Sequence, residues 1–212
     1  DRRYRHGVAG AAAKPAGRRV PKGDKRQRTR AALLEAAREL VREKGYEGTT
    51  LQDVAARAGM TSGAIYGNFK NRDDLFLALG LTYWPPIVPR YRPTATFAEK
   101  MRALAEATLA AIPERQRVAG GRLTGKAYAL SHEAMRARVQ EITAASYELG
   151  AEWLRSIATD DELPMPADQL VCVIHVLTEG LVFQRLLTPD LVPDDVFYAA
   201  FAALARARPE GA

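Results

Sequence analysis

Cysteine and long apolar runs are scarce in this chain, and each scarcity excludes a class of protein. The 212 residues include one cysteine, Cys172, so no disulfide can form within the chain, which fits a reducing compartment. No run approaches the roughly 20 apolar residues that span a bilayer, and the Arg-rich start lacks the apolar stretch of a signal peptide. We therefore expect a soluble, cytoplasmic protein without a membrane partner.

The sequence also lacks the residue combinations that catalysis and metal binding require. No nucleophile comes with an evident base and orienting partner. Cys172 with His175, or His175 with Glu179, supplies two metal ligands, whereas a site needs three or four. Residues 120–127 nearly match a phosphate-binding loop, but Ala127 replaces the hydroxyl residue that holds magnesium, and no strand precedes them. We expect no enzyme activity, no metal and no cofactor.

Positive charge is abundant and is concentrated at the N-terminus. The whole chain carries +6, yet the first thirty residues hold eleven basic residues against two acidic ones, so the remainder is net negative. A basic segment on a near-neutral body favours an acidic polymer as partner, most commonly nucleic acid, with a solubilising tail as the alternative. Residues 1–24 also lack apolar periodicity, which predicts a disordered basic arm.

Apolar periodicity predicts four helices in the first part of the chain, at residues 25–44, 50–58, 62–69 and 71–84. Gly45 and Gly59 lie where the first two should end, in the position that favours a left-handed backbone. Thr50 begins the second helix, with Asp53 three residues later as an approximate capping box. Asn71 similarly caps the fourth helix, which the following prolines end.

A proline-rich linker at residues 85–96 separates these helices from a second helical region. The apolar pattern there predicts helices at about 97–112, 118–130, 132–158, 167–187 and 194–207. No segment has the alternation and flanking turns of a strand. The predicted fold class is therefore all-α, with three parts: a basic arm at 1–24, a helical domain with a connecting helix at 25–84, and a helical bundle at 85–212.

Two short helices joined by a glycine-containing turn, after a longer amphipathic helix, indicate a helix-turn-helix, which presents its second helix to the major groove. In the predicted helix 62–69, Ile65 and Phe69 face the core. The outer face is small or polar and suits contacts with base edges or phosphates, and it consists of Ser62, Gly63, Ala64, Tyr66, Gly67 and Asn68. The alternative is an ordinary three-helix bundle in which Tyr66 merely packs.

Residues 29–79 resemble the N-terminal domain of the tetracycline-repressor (TetR) family, chiefly through GYEGTTLQDVAARAG at 45–59 and SGAIYGNFKNR at 62–72. This resemblance implies that Thr50, Tyr66 and Arg72 contact phosphates of double-stranded operator DNA. It also implies positions near the bases for a further set of residues, Thr61, Ser62, Gly63, Ala64 and Asn68. Gly67 departs from the family pattern, which usually has a larger side chain there, so one contact is expected to be missing.

The C-terminal half is similar to the family only loosely, in its final pair of helices. Residues 170–177 are apolar nearly all round, which predicts a helix covered on more than one side. The last helix carries an apolar set of its own, Val196, Phe197, Ala200, Phe201 and Leu204. The resemblance implies that the two helices form a four-helix interface across a two-fold axis in a homodimer.

Aromatic and polar residues after position 80 are candidates for a ligand cavity, because effector pockets in helical domains are mostly apolar with few polar anchors. The candidates are Tyr83, Trp84, Met101, Thr108, Tyr128, Tyr147, Trp153, His175, Thr178, Phe183 and Gln184. For each of them, ordinary core packing is the alternative.

These observations together predict a dimeric transcriptional regulator, a repressor that a small apolar or amphipathic effector releases from its operator. One alternative is a regulator of the same fold without an effector, controlled by a protein partner or by its own abundance. A helical-bundle enzyme with an appended DNA-binding domain is the alternative from another class, and it lacks a catalytic constellation.

Overall fold

The computed structural model describes residues 22–206, and within this range every regular element is helical. The elements are α1 (Lys22–Lys44), α2 (Leu51–Arg57), α3 (Ser62–Tyr66), α4 (Arg72–Tyr83), α5 (Phe97–Ser131), α6 (Glu133–Ile157), α7 (Ala167–Leu187), a 3₁₀ turn (Pro189–Leu191) and α8 (Asp194–Leu204). The all-α prediction is confirmed.

The N-terminal boundary differs from the prediction. The expected disordered arm at 1–24 lies outside the described residues except for its last three, which form the first turn of α1. Charged residues such as lysine are compatible with a helix, and α1 extends from the segment that packs on the core.

Local signals correctly placed the starts of α2 and α4 and the glycines that follow α1 and α2. Thr50 accepts a hydrogen bond from the Asp53 amide at 3.1 Å, and the Asp53 carboxylate accepts one from the Thr50 amide at 3.3 Å, which completes the capping box. Asn71 caps α4 in the same way by accepting from the Asp74 amide. Gly45 and Gly59 have φ angles of 75° and 65°, the left-handed conformation that glycine adopts without strain.

Helix α3 is shorter than the predicted 62–69, since it ends at Tyr66 with Gly67 as its C-cap. The inward pair of that prediction is nevertheless correct. Ile65 and Phe69 are both buried, Ile65 from within the helix and Phe69 from the turn that follows.

Helix α5 is one continuous helix of 35 residues, where the sequence predicted two. Pro113 and two consecutive glycines, Gly120 and Gly121, lie inside this helix. An interior proline costs about 3 kcal/mol of helix stability. Burial along the length of α5 offsets this cost, because its first turns pack in one core and Tyr128 packs in another. The loop-like segment 120–127 is helical, so its backbone amides do not form a phosphate cradle.

Two hydrophobic cores divide the molecule. The first joins α1 to α4 with the end of α5 and the start of α6, and its most buried side chains are Leu33, Val54, Ile65 and Leu75. The second joins the start of α5 with α6, α7 and α8, and its most buried side chains are Met101, Leu154, Leu170, Phe197 and Phe201.

Two of the apolar residues predicted on the last helix, Phe197 and Phe201, are fully buried, which corrects the assignment of these two side chains to an intersubunit face. Both rings point into the core of their own chain, so they are not available to a partner. Of the apolar residues predicted on that helix, Val196 is 37% exposed.

Helix α7 is left largely uncovered. It is the one helix of the described part that is long and apolar enough to cross a membrane by length and composition, and 11% of its most apolar window is buried. Val176 and Leu187 are 57% and 69% exposed. This agrees with the expectation that the helix requires cover from a second side.

Candidate nucleic-acid interface

The exposed surface at α3 contains most of the residues predicted to lie near DNA bases. Thr61 caps the helix by accepting a hydrogen bond from the Ala64 amide at 3.3 Å. Ser62 and Gly63 are exposed on its first turn, and Ala64 is half-buried. Because Ile65 fixes the opposite side of α3 in the core, this first turn is held outward, which a groove-reading helix requires.

Tyr66 extends this surface, and Thr50 lies exposed at the start of α2. The Tyr66 ring is 51% exposed, and its hydroxyl accepts a hydrogen bond from the Gln52 side-chain amide at 3.2 Å. This contact joins α2 to α3 on their outer side. Sequence reasoning overlooked Gln52, whose only signal was its place in the first turn of α2.

Asn68 is placed differently from the prediction. Its side-chain amide donates to the Ala64 carbonyl at 2.8 Å, and the Arg30 guanidinium donates to the Asn68 carbonyl at 3.0 Å. The Asn68 side-chain oxygen is buried and has no hydrogen-bond partner among the described residues. Asn68 therefore closes the end of α3 in this conformation, and its side chain has to rotate before it can contact a base.

Arg72 is likewise occupied within the protein. Its guanidinium donates to the Tyr128 hydroxyl at 2.9 Å and lies 5.7 Å from the centres of the Phe76 and Tyr128 rings. The Glu47 carboxylate is 3.9 Å away. In this conformation Arg72 links α4 to α5, and its phosphate contact stays a prediction.

Tyr128 packs in the first core, which corrects its assignment to a ligand cavity. Its ring stacks on Tyr46 at 5.6 Å and on His132 at 3.9 Å, and it meets Phe76 edge to face. Burial raises the pKa of Tyr46, whose hydroxyl donates to the Gly121 carbonyl. We call this aromatic contact of Tyr46, Phe76, Tyr128 and His132 the junction, because it joins the first domain to α5.

A glycine permits the close packing at the junction. A Cβ atom placed on Gly125 would lie 2.8 Å from the Tyr46 hydroxyl oxygen, closer than real contacts allow. The contact between the first domain and α5 therefore depends on the absence of a side chain at position 125.

A cluster of polar side chains lies between α5, α6 and α7, apart from the junction. Glu179 bridges Arg122, at 3.1 Å, and Lys126, and the Tyr147 hydroxyl is 2.7 Å from His175 Nδ1. Burial opposes ionisation of Glu179, but the two cations outweigh it and hold the pKa of that carboxyl below its usual range. Burial lowers the pKa of His175, which favours its neutral form.

The remaining ligand candidates are distributed over several places. Met101 and Thr108 are fully buried, and the Thr108 hydroxyl donates to the carbonyl of Leu104 in its own helix. Those positions correspond to the packing alternative. The Trp153 indole donates a hydrogen bond to the Tyr91 hydroxyl. The side-chain amide of exposed Gln184 donates one to the Thr188 hydroxyl.

One aromatic pair among the candidates does come together. Trp84 and Phe183 stack with ring centres 5.2 Å apart, and the Arg115 guanidinium lies 4.3 Å from the Trp84 ring centre. Tyr83, the residue before Trp84, packs against the first core and donates its hydroxyl to Glu35, and Thr178 is half-buried on α7.

Comparison with known proteins places the similarity mainly in the first domain. Residues 33–79 match the model of a family described as bacterial regulatory proteins, tetR family. The transcriptional repressor AcnR of Corynebacterium glutamicum is 42% identical over 60 residues, which are 28% of this chain and 32% of AcnR. The transcriptional regulator TtgR of Pseudomonas putida is 47% identical over 53 residues, 25% of each protein. The chain thus matches a third or less of the length of these curated relatives.

A solved structure extends the similarity to the second domain. The chain superposes on NalD, the secondary repressor of the MexAB-OprM multidrug efflux pump in Pseudomonas aeruginosa, with a TM-score of 0.57 and 25% identity. The match covers 88% of this chain and 100% of that one.

Proposed function

We propose that the chain is a member of the TetR family of bacterial regulatory proteins, and that it represses transcription by binding double-stranded operator DNA as a dimer. The observation that carries the proposal is α3, whose buried Ile65 holds an exposed turn of Thr61, Ser62, Gly63 and Tyr66 outward. Such a helix can enter the major groove, which is about 12 Å wide. The protein would act in the cytoplasm, where its DNA partner lies.

The test is selection of bound duplexes from a random pool, followed by titration of one selected duplex. We expect Tyr66→Ala to weaken binding by about 1 to 3 kcal/mol. Leu81→Ala, which removes an exposed apolar side chain from α4, is the control and should leave affinity unchanged. Failure to select any sequence, or equal affinity of the Tyr66 variant, would contradict the proposal.

The dimer is supported by the uncovered apolar surface of α7, where Val176 is exposed. We expect a Val176→Glu substitution to yield a monomer in sedimentation, because pairing would bury an unpartnered charge. Leu130→Glu, at another exposed apolar position, is the matched control and should leave the dimer intact. Wild-type protein that sediments as a monomer at micromolar concentration would count against the dimer.

We further propose that a small apolar or amphipathic molecule binds the second domain and weakens operator binding. Support comes from the Trp84–Phe183 stack beside the end of α4, the helix that begins against the DNA-binding surface. The coupling must then be reciprocal, so operator DNA has to lower the affinity of the protein for the ligand by the same factor. Titration of one compound with and without operator tests this, and equal affinities would exclude release by that compound.

The size of the cleft beside the stack favours the regulator without an effector as a second candidate. That cleft measures about 200 Å³, whereas sites for drug-sized ligands span about 300 to 1,000 Å³. The second candidate predicts that operator affinity depends on protein concentration or on a partner protein, and on no small molecule.

A further inference from the structure

A cleft lies between the linker that follows α4 and the middle of α5. Its walls are mostly apolar, from Pro85, Pro86, Ile87 and Val88 on one side and from Ala107 and Ala111 on the other. Tyr83, the last residue of α4, Arg115 and exposed Glu114 complete the lining.

Arg115 is an unusual residue for such a wall, because it is 6% exposed and has no carboxylate partner. Its one hydrogen bond is a donation to the Pro85 carbonyl at 2.6 Å, and its Nε atom is buried without an acceptor among residues 22–206. No carboxylate oxygen in that range lies within 4 Å of it. An arginine remains charged in proteins, and a buried charge without a counter-ion is costly.

The surroundings of Arg115 do not supply the missing negative charge. Arg122 also lies near Trp84, with its guanidinium 5.6 Å from the ring centre, and it shares the carboxylate of Glu179 with Lys126. Two cations on one carboxylate leave an excess of positive charge. Burial and Arg122 lower the pKa of Arg115 by more than Glu179 raises it, so Glu179 compensates the charge only in part.

We propose that this cleft binds the carboxylate of a small amphipathic molecule, with the Arg115 guanidinium as its anchor and the linker prolines and α5 alanines around its apolar part. Arginine presents a planar fork of donors that matches a carboxylate, and among the described residues one hydrogen bond, to the Pro85 carbonyl, occupies that of Arg115. A role for this ligand as the effector rests on the proposed function, and it is favoured by the place of Tyr83 at the end of α4.

The experiment uses three eight-carbon probes, octanoate, 1-octanol and octylammonium, titrated calorimetrically into the full chain. We expect octanoate to bind about tenfold more tightly than octanol, and octylammonium more weakly than either. R115Q should remove the preference for octanoate over octanol. R117Q, which removes an exposed arginine two positions away, is the matched control and should leave the preference intact.

The preference between probes separates ligand binding from a purely structural role of Arg115, since a structural role would change folding without changing that ratio. If R115Q does not fold, R115K replaces it, and we expect a reduced preference because lysine keeps the charge but lacks the fork. Equal binding of octanoate and octanol to the wild type, or an unchanged preference in the folded variant, would overturn the proposal.

Operator binding, measured without any probe, keeps the two proposals distinguishable. Octanoate binding by a chain that binds no DNA would overturn the proposed function and leave the carboxylate site in place. Octanoate binding that leaves operator affinity unchanged would overturn the effector role alone.

Discussion

The two domains of this protein differ in how completely they satisfy their own side chains. In the first, the helix starts are capped, the core is closed, and one side-chain oxygen, that of Asn68, is left buried without a partner among the described residues. In the second, α7 keeps an uncovered apolar surface, and Arg115 keeps a buried charge. The first domain therefore satisfies nearly all of its described buried polar groups by itself. The second domain leaves an apolar surface that the proposed second copy would cover and a charge that the proposed ligand would pair.

The largest expected effect comes from comparing the two cores directly. Phe201→Ala should destabilise the protein by about 3 to 5 kcal/mol and Ile65→Ala by about 2 to 5 kcal/mol, because each removes a fully buried side chain. Since α5 contributes to both cores, we expect one unfolding transition in urea for each variant.

Fluorescence of the two tryptophans, Trp153 against the second core and Trp84 stacked on Phe183 of α7, and circular dichroism would monitor that transition separately. Two separated transitions in Ile65→Ala would show that the domains unfold independently. The Phe201 result also separates core burial from dimerisation, because sedimentation of the folded variant should still give a dimer.

A smaller effect is expected at the junction between the domains. Gly125→Ala should cost about 1 to 3 kcal/mol, since its methyl group would lie 2.8 Å from the Tyr46 hydroxyl oxygen. Gly120→Ala on the same helix is the control, because nothing lies within 4 Å of its Cβ. That control should stabilise the helix by about 0.5 to 1 kcal/mol. Thermal unfolding measures the stability of both variants, and equal changes in stability would contradict close packing at the junction.

The next effect concerns the cap of α2. Thr50→Ala should cost about 1 kcal/mol, because the Asp53 amide loses its acceptor. Thr50→Ser keeps the hydroxyl and should restore most of the stability. Urea midpoints of the two variants provide the measurement, and a Thr50→Ala midpoint equal to that of the wild type would mean that the cap is dispensable.

The smallest expected effect is a pH dependence in the second domain. Burial depresses the pKa of His175 from its ordinary 6.5, so the unfolded chain binds this proton more readily than the folded one. Stability should therefore fall as the pH drops below about 6.5, and no contribution is expected above it. His175→Gln should flatten thermal stability between about pH 7 and 5. A wild-type slope no steeper than that of the variant would exclude His175 as its source.

Sequence reasoning succeeded where the signal and the structure are neighbours in the chain. Thr50 and Asn71 cap helices whose amides lie three residues away, and Gly45 ends α1 in place. These features depend on short-range chemistry that a sequence displays directly. The outward surface of α3 also followed, because Ile65 marks its buried side.

The failures involve partners far apart in the chain. Arg72 bonds Tyr128, 56 residues away, so neither this contact nor the place of Tyr128 in the first core could be predicted from the local sequence. The continuity of α5 through Pro113 depends on burial against several helices, which overrides the local preference of proline. The unpaired charge of Arg115 likewise became visible only when its surroundings were known.

Pro113 also has a mechanical consequence for α5. A proline has no amide hydrogen to donate, so the carbonyl of Leu109 loses its helical partner and the ladder of hydrogen bonds is interrupted there. We therefore expect α5 to bend more easily at Pro113 than along the segments on either side of it. Ala111 and Arg115, which lie on either side of Pro113, both line the cleft, so bending of α5 at Pro113 would change the shape of the cleft.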